Sequence, residues 1–173
     1  MRPVPSFDEL LTSAERSAVH LEMRDRYDVA DERVSFARWR AGDWTVEQDR
    51  VHRRVWLDLV RSTVARGVTM RRARIVSEPV TTYIRFEHSG TSLNIEAGEQ
   101  VRWLPRRKTL GIPLPGNDLW LIDDRIVRFN HFNGDGDVVE PEVSEESGVI
   151  ELCRSAFEMV WERAIPHDEY EIA

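Results

Sequence analysis

The apolar positions of this chain follow two rhythms, one helical and one alternating. Ser6, with Glu9 three residues later, forms a capping box that opens a short helix with Phe7, Leu10 and Leu11 on its apolar face. Val19, Leu21 and Met23 then alternate with His20, Glu22 and Arg24, a period of two that predicts a half-buried strand. Asp31 is placed to cap a helix over 32–40, with Val34, Ala37 and Trp39 on the inner side and Gly42 at its stop. Thr45 with Gln48 forms a second capping box. The helix behind it is expected to run to Arg66 and stop at Gly67. Its apolar stripe is Val51, Val55, Leu59 and Val64, widened by Trp56 and Val60.

Residues 70–76 form the best internal strand, closed by Ser77 and Pro79. Residues 80–88 fit either state. The helical offsets of Val80, Tyr83, Ile84 and Glu87, with Pro79 at the start, favour helix. A strand over 100–104 ends at Pro105, and a loop punctuated by Pro and Gly runs on to Gly116. Strands over 118–122 and 126–132 are joined by a turn at 123–125. Asn133-Gly134-Asp135-Gly136 is a hairpin signal, with 137–143 pairing back across it. The last long helix, 145–164, faces inward through Ile150, Phe157, Val160 and Trp161, and Pro166 ends it. The polar tail from His167 to Ala173 is expected to be loose. This order predicts an α+β fold, a mixed or mostly antiparallel sheet flanked by helices. The length, 173 residues, fits a single domain over 1–173 with its core at about 6–166.

Composition narrows the setting. No run approaches the ~20 apolar residues that span a bilayer. The stretch from Met1 to Ser6 has no apolar region behind it, so no signal peptide is expected and the cytoplasm is the expected compartment. Cys153 is the one cysteine, which excludes an internal disulfide and a Cys-based zinc site; it reads as a small buried thiol. The chain has 23 Arg and one Lys, a ratio that points to GC-rich coding rather than to a function. Residues 1–112 carry a net charge of +4 and residues 113–173 a net charge of −11. The acidic last third argues against indiscriminate nucleic-acid binding. It suits a basic partner or simply solubility.

Most catalytic signatures are missing. There is no G-x-G-x-x-G and no G-x-S-x-G. Lys108 lies between Arg107 and Thr109, which excludes a P-loop. His20, His52, His88, His131 and His167 are scattered, and neither a metal nor a cofactor is expected. His131, Asn133, Asp135, Gly136 and Glu142 occupy positions 1, 3, 5, 6 and 12 of an EF-hand loop, but the first should be Asp and the flanks read as strand, so turn chemistry explains the stretch. Asp118, Asp123, Asp124 and Asp135 are imaginable catalytic carboxylates, and Asp123-Asp124 sits where a turn is wanted. Arg71, Arg72, Arg74, Arg102, Trp103, Arg106 and Arg107, with Lys108, form a candidate phosphate or ligand surface if their strands are neighbours. The competing reading is a charged, solvated strand edge. Arg24, Asp25, Arg26, Tyr27 and Asp28 form a polar cluster that reads equally as a buried Arg–Asp network or a ligand site.

Several segments carry a resemblance: Phe7-Asp8-Glu9-Leu10-Leu11, Val76-Ser77-Glu78-Pro79, Tyr83-Ile84-Arg85-Phe86-Glu87, Ala97-Gly98-Glu99, Leu104-Pro105-Arg106 and Asp118-Leu119-Trp120-Leu121-Ile122-Asp123-Asp124. Together they resemble a family of small single-domain proteins of high-GC Gram-positive bacteria that has no established activity. Its members are often encoded beside helix-turn-helix regulators, which implies a regulatory circuit by association. More distantly, Leu119–Phe132 and the helix ending at Trp161-Glu162-Arg163-Ala164-Ile165-Pro166 resemble the later part of a phospholipase D-like half-domain. That family's H-x-K-x-x-x-x-D motif is not met. If Asp123 matches its Asp, Gly116 falls at the nucleophilic His and Asp118 at the Lys. The resemblance implies a fold without the chemistry.

The expected function is a non-enzymatic regulatory or interaction module acting with a helix-turn-helix regulator. A ligand-sensing role in the old active-site cleft is compatible with it, and a homodimer is compatible too. Two alternatives stand beside it: an enzyme or toxin acting on nucleic acid or nucleotides through the Arg-rich strands and a carboxylate, and a direct nucleic-acid binder.

Overall fold

His20 is buried like the apolar residues that alternate with it, and the Glu22 side chain is only 12% exposed. This first strand is therefore covered on both faces, and the architecture follows from that. The computed structural model describes residues 4–173; the first three residues of the signal-peptide reading lie outside the described residues. Seven strands form one sheet. They are β1 (Ser17–Glu22), β2 (Thr69–Val76), β3 (Gln100–Pro105), β4 (Asp118–Ile122), β5 (Ile126–Asn130), β6 (Glu142–Ser144) and β7 (Ile165–Pro166). Their order is β6-β5-β4-β1-β2-β3-β7. β1, β2 and β3 are parallel neighbours, and every other pair is antiparallel. The α+β expectation of a mixed sheet flanked by helices holds.

One face of the sheet packs on α6 (Ser147–Arg163). Val19, Leu21, Ala73, Ile75, Leu119, Leu121 and Val127 meet Cys153, Phe157 and Val160 there. Cys153 is fully buried, and burial pushes its thiol pKa up to about 11. The opposite face is covered by α1 (Phe7–Ser13), α4 (Arg54–Ala65) and α5 (Thr82–Glu96), with Leu10, Leu11, Leu57, Val60 and Leu93 against Ala18, Met70, Trp120 and Ile122. The capping boxes at Ser6–Glu9 and Thr45–Gln48 are both formed.

Several boundaries differ from the sequence reading. The helix expected from Thr45 to Arg66 is two helices, α3 (Val46–His52) and α4, with Arg53 at φ −92°, ψ 9° between them. The Arg53 guanidinium reaches inward to α5, donating to the Gly90 carbonyl (3.2 Å) and to Asn94 Oδ1 (2.5 Å). Gly90 permits this approach, because a Cβ there would lie 2.9 Å from Asp49 Oδ2 and 3.2 Å from Arg53 Nη1. Val51 and Val55 of the expected stripe are exposed, and Leu57, Val60 and Thr63 face the core. In α2 (Arg33–Arg40) Ser35 is buried and Trp39, as expected, packs inward with Phe36 against the α5 aromatics, while Val34 and Ala37 are exposed. Asp31 lies in a 3-10 turn and does not cap α2. Gly42, at φ +75°, ends that helix as expected. Of residues 80–88, Val80 and Thr81 precede the helix and 82–88 are helical, within an α5 that runs on to Glu96 and is capped by Thr81.

The Asn133–Gly136 turn forms: Asn133 Oδ1 accepts from the Asp135 and Asp137 N–H groups. The returning strand is only Glu142–Ser144, however, because Asp137 bridges to Asp28 and Pro141 has no N–H to give. The tail is docked rather than loose. Tyr170 is buried and stacks on Trp103 with centroids 5.6 Å apart, and the Val80 N–H donates to the Ala173 carbonyl.

Asp123 and Asp124 turn the β4–β5 hairpin with φ of +54° and +53°, a conformation Asp tolerates better than most residues. The Asp123 carboxylate accepts from the backbone N–H groups of Glu15 (2.9 Å), Arg16 (2.8 Å) and Ser17 (2.8 Å), and so fastens the hairpin to the start of β1. Burial works to raise its pKa, but these backbone donors hold it below the usual carboxylate value. Its stabilisation is therefore present above the ordinary carboxylate pKa and is lost as pH falls through the depressed one. Asp123→Asn keeps the turn residue but loses the charge. It is expected to destabilise the protein by about 1–3 kcal/mol at pH 7, with the gap from wild type narrowing in acid. Urea melts at pH 7 and pH 3 measure both.

Candidate functional site

On β2, side chains alternate between faces, so Arg72 and Arg74 point toward α5 while Arg71 and Ala73 point toward α6. Glu22 of β1 lies beside the first two. Arg72 Nη1 donates to Glu22 Oε1 (2.8 Å), and Arg72 Nε donates to Glu99 Oε1 (2.9 Å). Glu99 also accepts from Asn94 Nδ2 (2.5 Å), which links the network to Arg53. Arg74 Nη2 lies 2.6 Å from Glu87 Oε2 on α5, and Arg74 Nε lies 2.8 Å from Glu22 Oε2, out of line for a hydrogen bond. The guanidiniums stand over indoles, Arg74 at 5.3 Å from Trp103 and Arg72 at 5.8 Å from Trp120.

This buried charge shifts its neighbours. His20 stacks on Trp120 at 4.3 Å, and burial, followed by the charges of Arg72, Arg74 and Arg128, holds its pKa well below the usual imidazole value. Glu32 accepts from the Tyr83 hydroxyl (2.5 Å). Burial and then the charge of Glu87 raise its pKa to about 7.

The surface proposed from the seven residues is not assembled. Arg72, Arg74 and Trp103 are buried, at 7%, 6% and 0% exposure. Arg71 pairs with Glu158 on the α6 side (2.6 Å) and lies over Phe157. Arg102, also on that side, lies over Trp161 and donates to its carbonyl. Arg107 is exposed beside Glu78. The parallel register does bring the strands together, but the pleat divides their side chains between faces and carboxylates take most of the charge.

Arg106 is the exception, because it sits at a cleft. It follows β3 and gathers the C-terminal ends of all three parallel strands. Nη2 donates to the Met23 carbonyl (2.6 Å) and lies 3.3 Å from Ile75 O and Asp25 Oδ2, while Nε donates to Ser77 Oγ (3.0 Å). The cleft has a volume of about 260 Å³ and is lined by Met23, Arg24, Arg106, residues 114–118 and Phe132. Asp118 lies at its base, accepting from the Met23 N–H (2.8 Å) and the Tyr27 hydroxyl. Burial raises the Asp118 pKa to about 6 against the pull of that hydroxyl. Arg24 lies 4.9 Å over the Phe132 ring.

The cluster of residues 24–28 divides between an internal polar network and the wall of the cleft. Asp25, Tyr27 and Asp28 make internal polar contacts, and Arg24 lines the cleft. Leu114, Phe132 and the four buried or half-buried glutamates, Glu22, Glu32, Glu87 and Glu99, carried no motif. Only the alternation of β1 hinted at Glu22. Among the described residues no cluster of three or more His, Cys, Asp or Glu is placed to hold a metal ion.

The family profile of the Domain of unknown function DUF6879 matches residues 5–172. The chain belongs to that family. Comparison with curated proteins finds no match. Among solved structures, Nuc from Salmonella typhimurium, a phospholipase D family member, is similar with a TM-score of 0.50 at 11% identity, covering 92% of this chain and 86% of Nuc. TrmBL2, an archaeal chromatin protein, is similar with a TM-score of 0.49 at 15% identity over 91% of this chain. This chain spans about half of TrmBL2, 48% of its length. The likeness to Nuc is one of fold. Among the described residues no helix is long and apolar enough to cross a membrane.

Two outcomes follow from the buried network. Arg72→Met leaves Glu22 and Glu99 without their shared partner and is expected to lower stability by about 3–5 kcal/mol. Adding Glu99→Gln should recover part of that loss, and a double-mutant cycle of urea melts measures the coupling. The raised pKa of Glu32 means its folded form is favoured when protonated. Its stabilisation is fully present below the unfolded carboxylate value and is lost as pH rises through about 7. Glu32→Gln should therefore be more stable than wild type at pH 8, by about 1–3 kcal/mol, with the advantage vanishing near pH 4.

Proposed function

We propose that the protein is a non-enzymatic regulatory module of the cytoplasm that acts through a protein partner, a helix-turn-helix transcription regulator. The observation that carries the reading is the state of the cleft at the ends of β1, β3 and β4. With Asp123 matched to the last residue of the phospholipase D motif, the His position is Gly116 and the Lys position is Asp118. Gly116 has no side chain to attack phosphorus, and the carboxyl of Asp118 is held by Tyr27 and the Met23 backbone. Of the arginines expected to form a phosphate surface elsewhere, Arg71, Arg72 and Arg74 are bound to glutamates and Arg102 to the Trp161 carbonyl.

Charge favours protein over nucleic acid as the partner. The last 61 residues, among them α6, carry the net −11, which suits the basic surface of a DNA-binding protein. Exposed apolar side chains are present too: Val34, Val51 and Val55 on α2, α3 and α4 are 66%, 74% and 81% exposed. The choice of a helix-turn-helix regulator rests on the family resemblance and its gene neighbourhood.

An affinity pull-down of the tagged protein from its native cytoplasm, with mass spectrometry of what is bound, tests this. A stoichiometric helix-turn-helix protein is the expected result. Val55→Glu, which leaves the core untouched, is expected to weaken its capture if the valines are the contact. Recovery of nucleic acid or a nucleotide with no protein would overturn the reading.

A further inference from the structure

Among the described residues, Arg24 is the charged wall of the cleft that the protein leaves unanswered. Among the described residues it makes no ion pair. Its Nε is buried without a hydrogen-bond acceptor, and its guanidinium is braced on the Phe132 ring at 4.9 Å. A buried guanidinium N–H without an acceptor is destabilising unless something else supplies one. The single carboxylate at the cleft floor, Asp118, already accepts from Tyr27 and the Met23 N–H. Arg106 lines the same cleft. Its Nε and Nη2 are engaged, and its Nη1 makes no hydrogen bond among the described residues. Met23, Leu114 and Pro115 add apolar wall, and a Cβ placed at Gly116 would meet nothing within 4 Å. The volume, about 260 Å³, lies just under the small end of ligand pockets, ~300–1,000 Å³.

We propose that this cleft binds a small organic anion, its charged group held between Arg24 and Arg106 and its apolar body against Met23, Leu114 and Phe132. Carboxylates and phosphate monoesters share that chemistry, and guanidinium pairs accept both. The site does not depend on the protein partner. A failed pull-down leaves it standing, and a failed titration leaves the partner reading standing.

Isothermal titration of the full chain with benzoate, phenyl phosphate and inorganic phosphate tests the proposal. Saturable one-site binding of at least one organic anion is expected, tighter than that of inorganic phosphate. A preference for benzoate assigns a carboxylate ligand, and a preference for phenyl phosphate a phosphomonoester. Arg24→Gln should weaken binding by roughly 10-fold or more. Arg107→Gln, which removes an exposed charge outside the cleft, should leave it unchanged. Gly116→Leu fills the cavity from an open position, so binding should be lost while the melting temperature stays near that of wild type. No saturable heat with any of the three probes would overturn the proposal. So would binding that survives both Arg24→Gln and Gly116→Leu.

Discussion

Glu22 sits at the point on which the rest of the molecule turns. It lies on a central strand, enclosed on both sides, between two arginines of the next strand. Burying these charges is costly, and removing any one of them strands the others in a medium that cannot solvate them. Three glutamates answer two arginines, and the second and third come from α5 and the turn behind it. α5 must therefore lie where Glu87 and Glu99 reach Arg74 and Arg72. Asn94 and Arg53 carry the same constraint outward and break the α3–α4 helix. The placement of three helices is thus tied to polar contacts on a sheet face that simple patterning assigns to water.

The architecture was legible where local chemistry decides it. Both capping boxes, the Gly42 stop, the strands around 70–76 and 118–122 and the Asn133 turn follow from residue types at fixed spacing. One source of error lies in strand alternation. Alternation such as Val19-His20-Leu21-Glu22 is the same whether the polar face meets solvent or meets buried partners, and only the tertiary structure distinguishes them. Val51 and Val55 looked internal for another reason. Their helical spacing was sound, but the break at Arg53 turned the two helices relative to each other.

The candidate site was less legible still. Of the seven residues singled out, Arg106 alone lies in the cleft, and the basic composition around it gave no sign that its neighbours would be paired with glutamates. The cluster at residues 24–28 was visible in the sequence, yet its partner residues come from 106, 114–118 and 132. Contacts separated by some 80 to 110 positions leave no local pattern. What the sequence did supply was the absence of any H-x-K-x-x-x-x-D motif, and the structure directs the carboxyl of Asp118 to the Tyr27 hydroxyl.

The sheet ends, on both sides, in strands of two and three residues, Ile165–Pro166 and Glu142–Ser144. A ladder that short, with a proline on one edge, offers another backbone almost nothing to zip onto. Self-association by strand addition is thereby discouraged, as is growth into fibrils. Whatever this protein assembles with must read its side chains, which places the grammar of recognition on helices and loops and leaves the strands to bear structure.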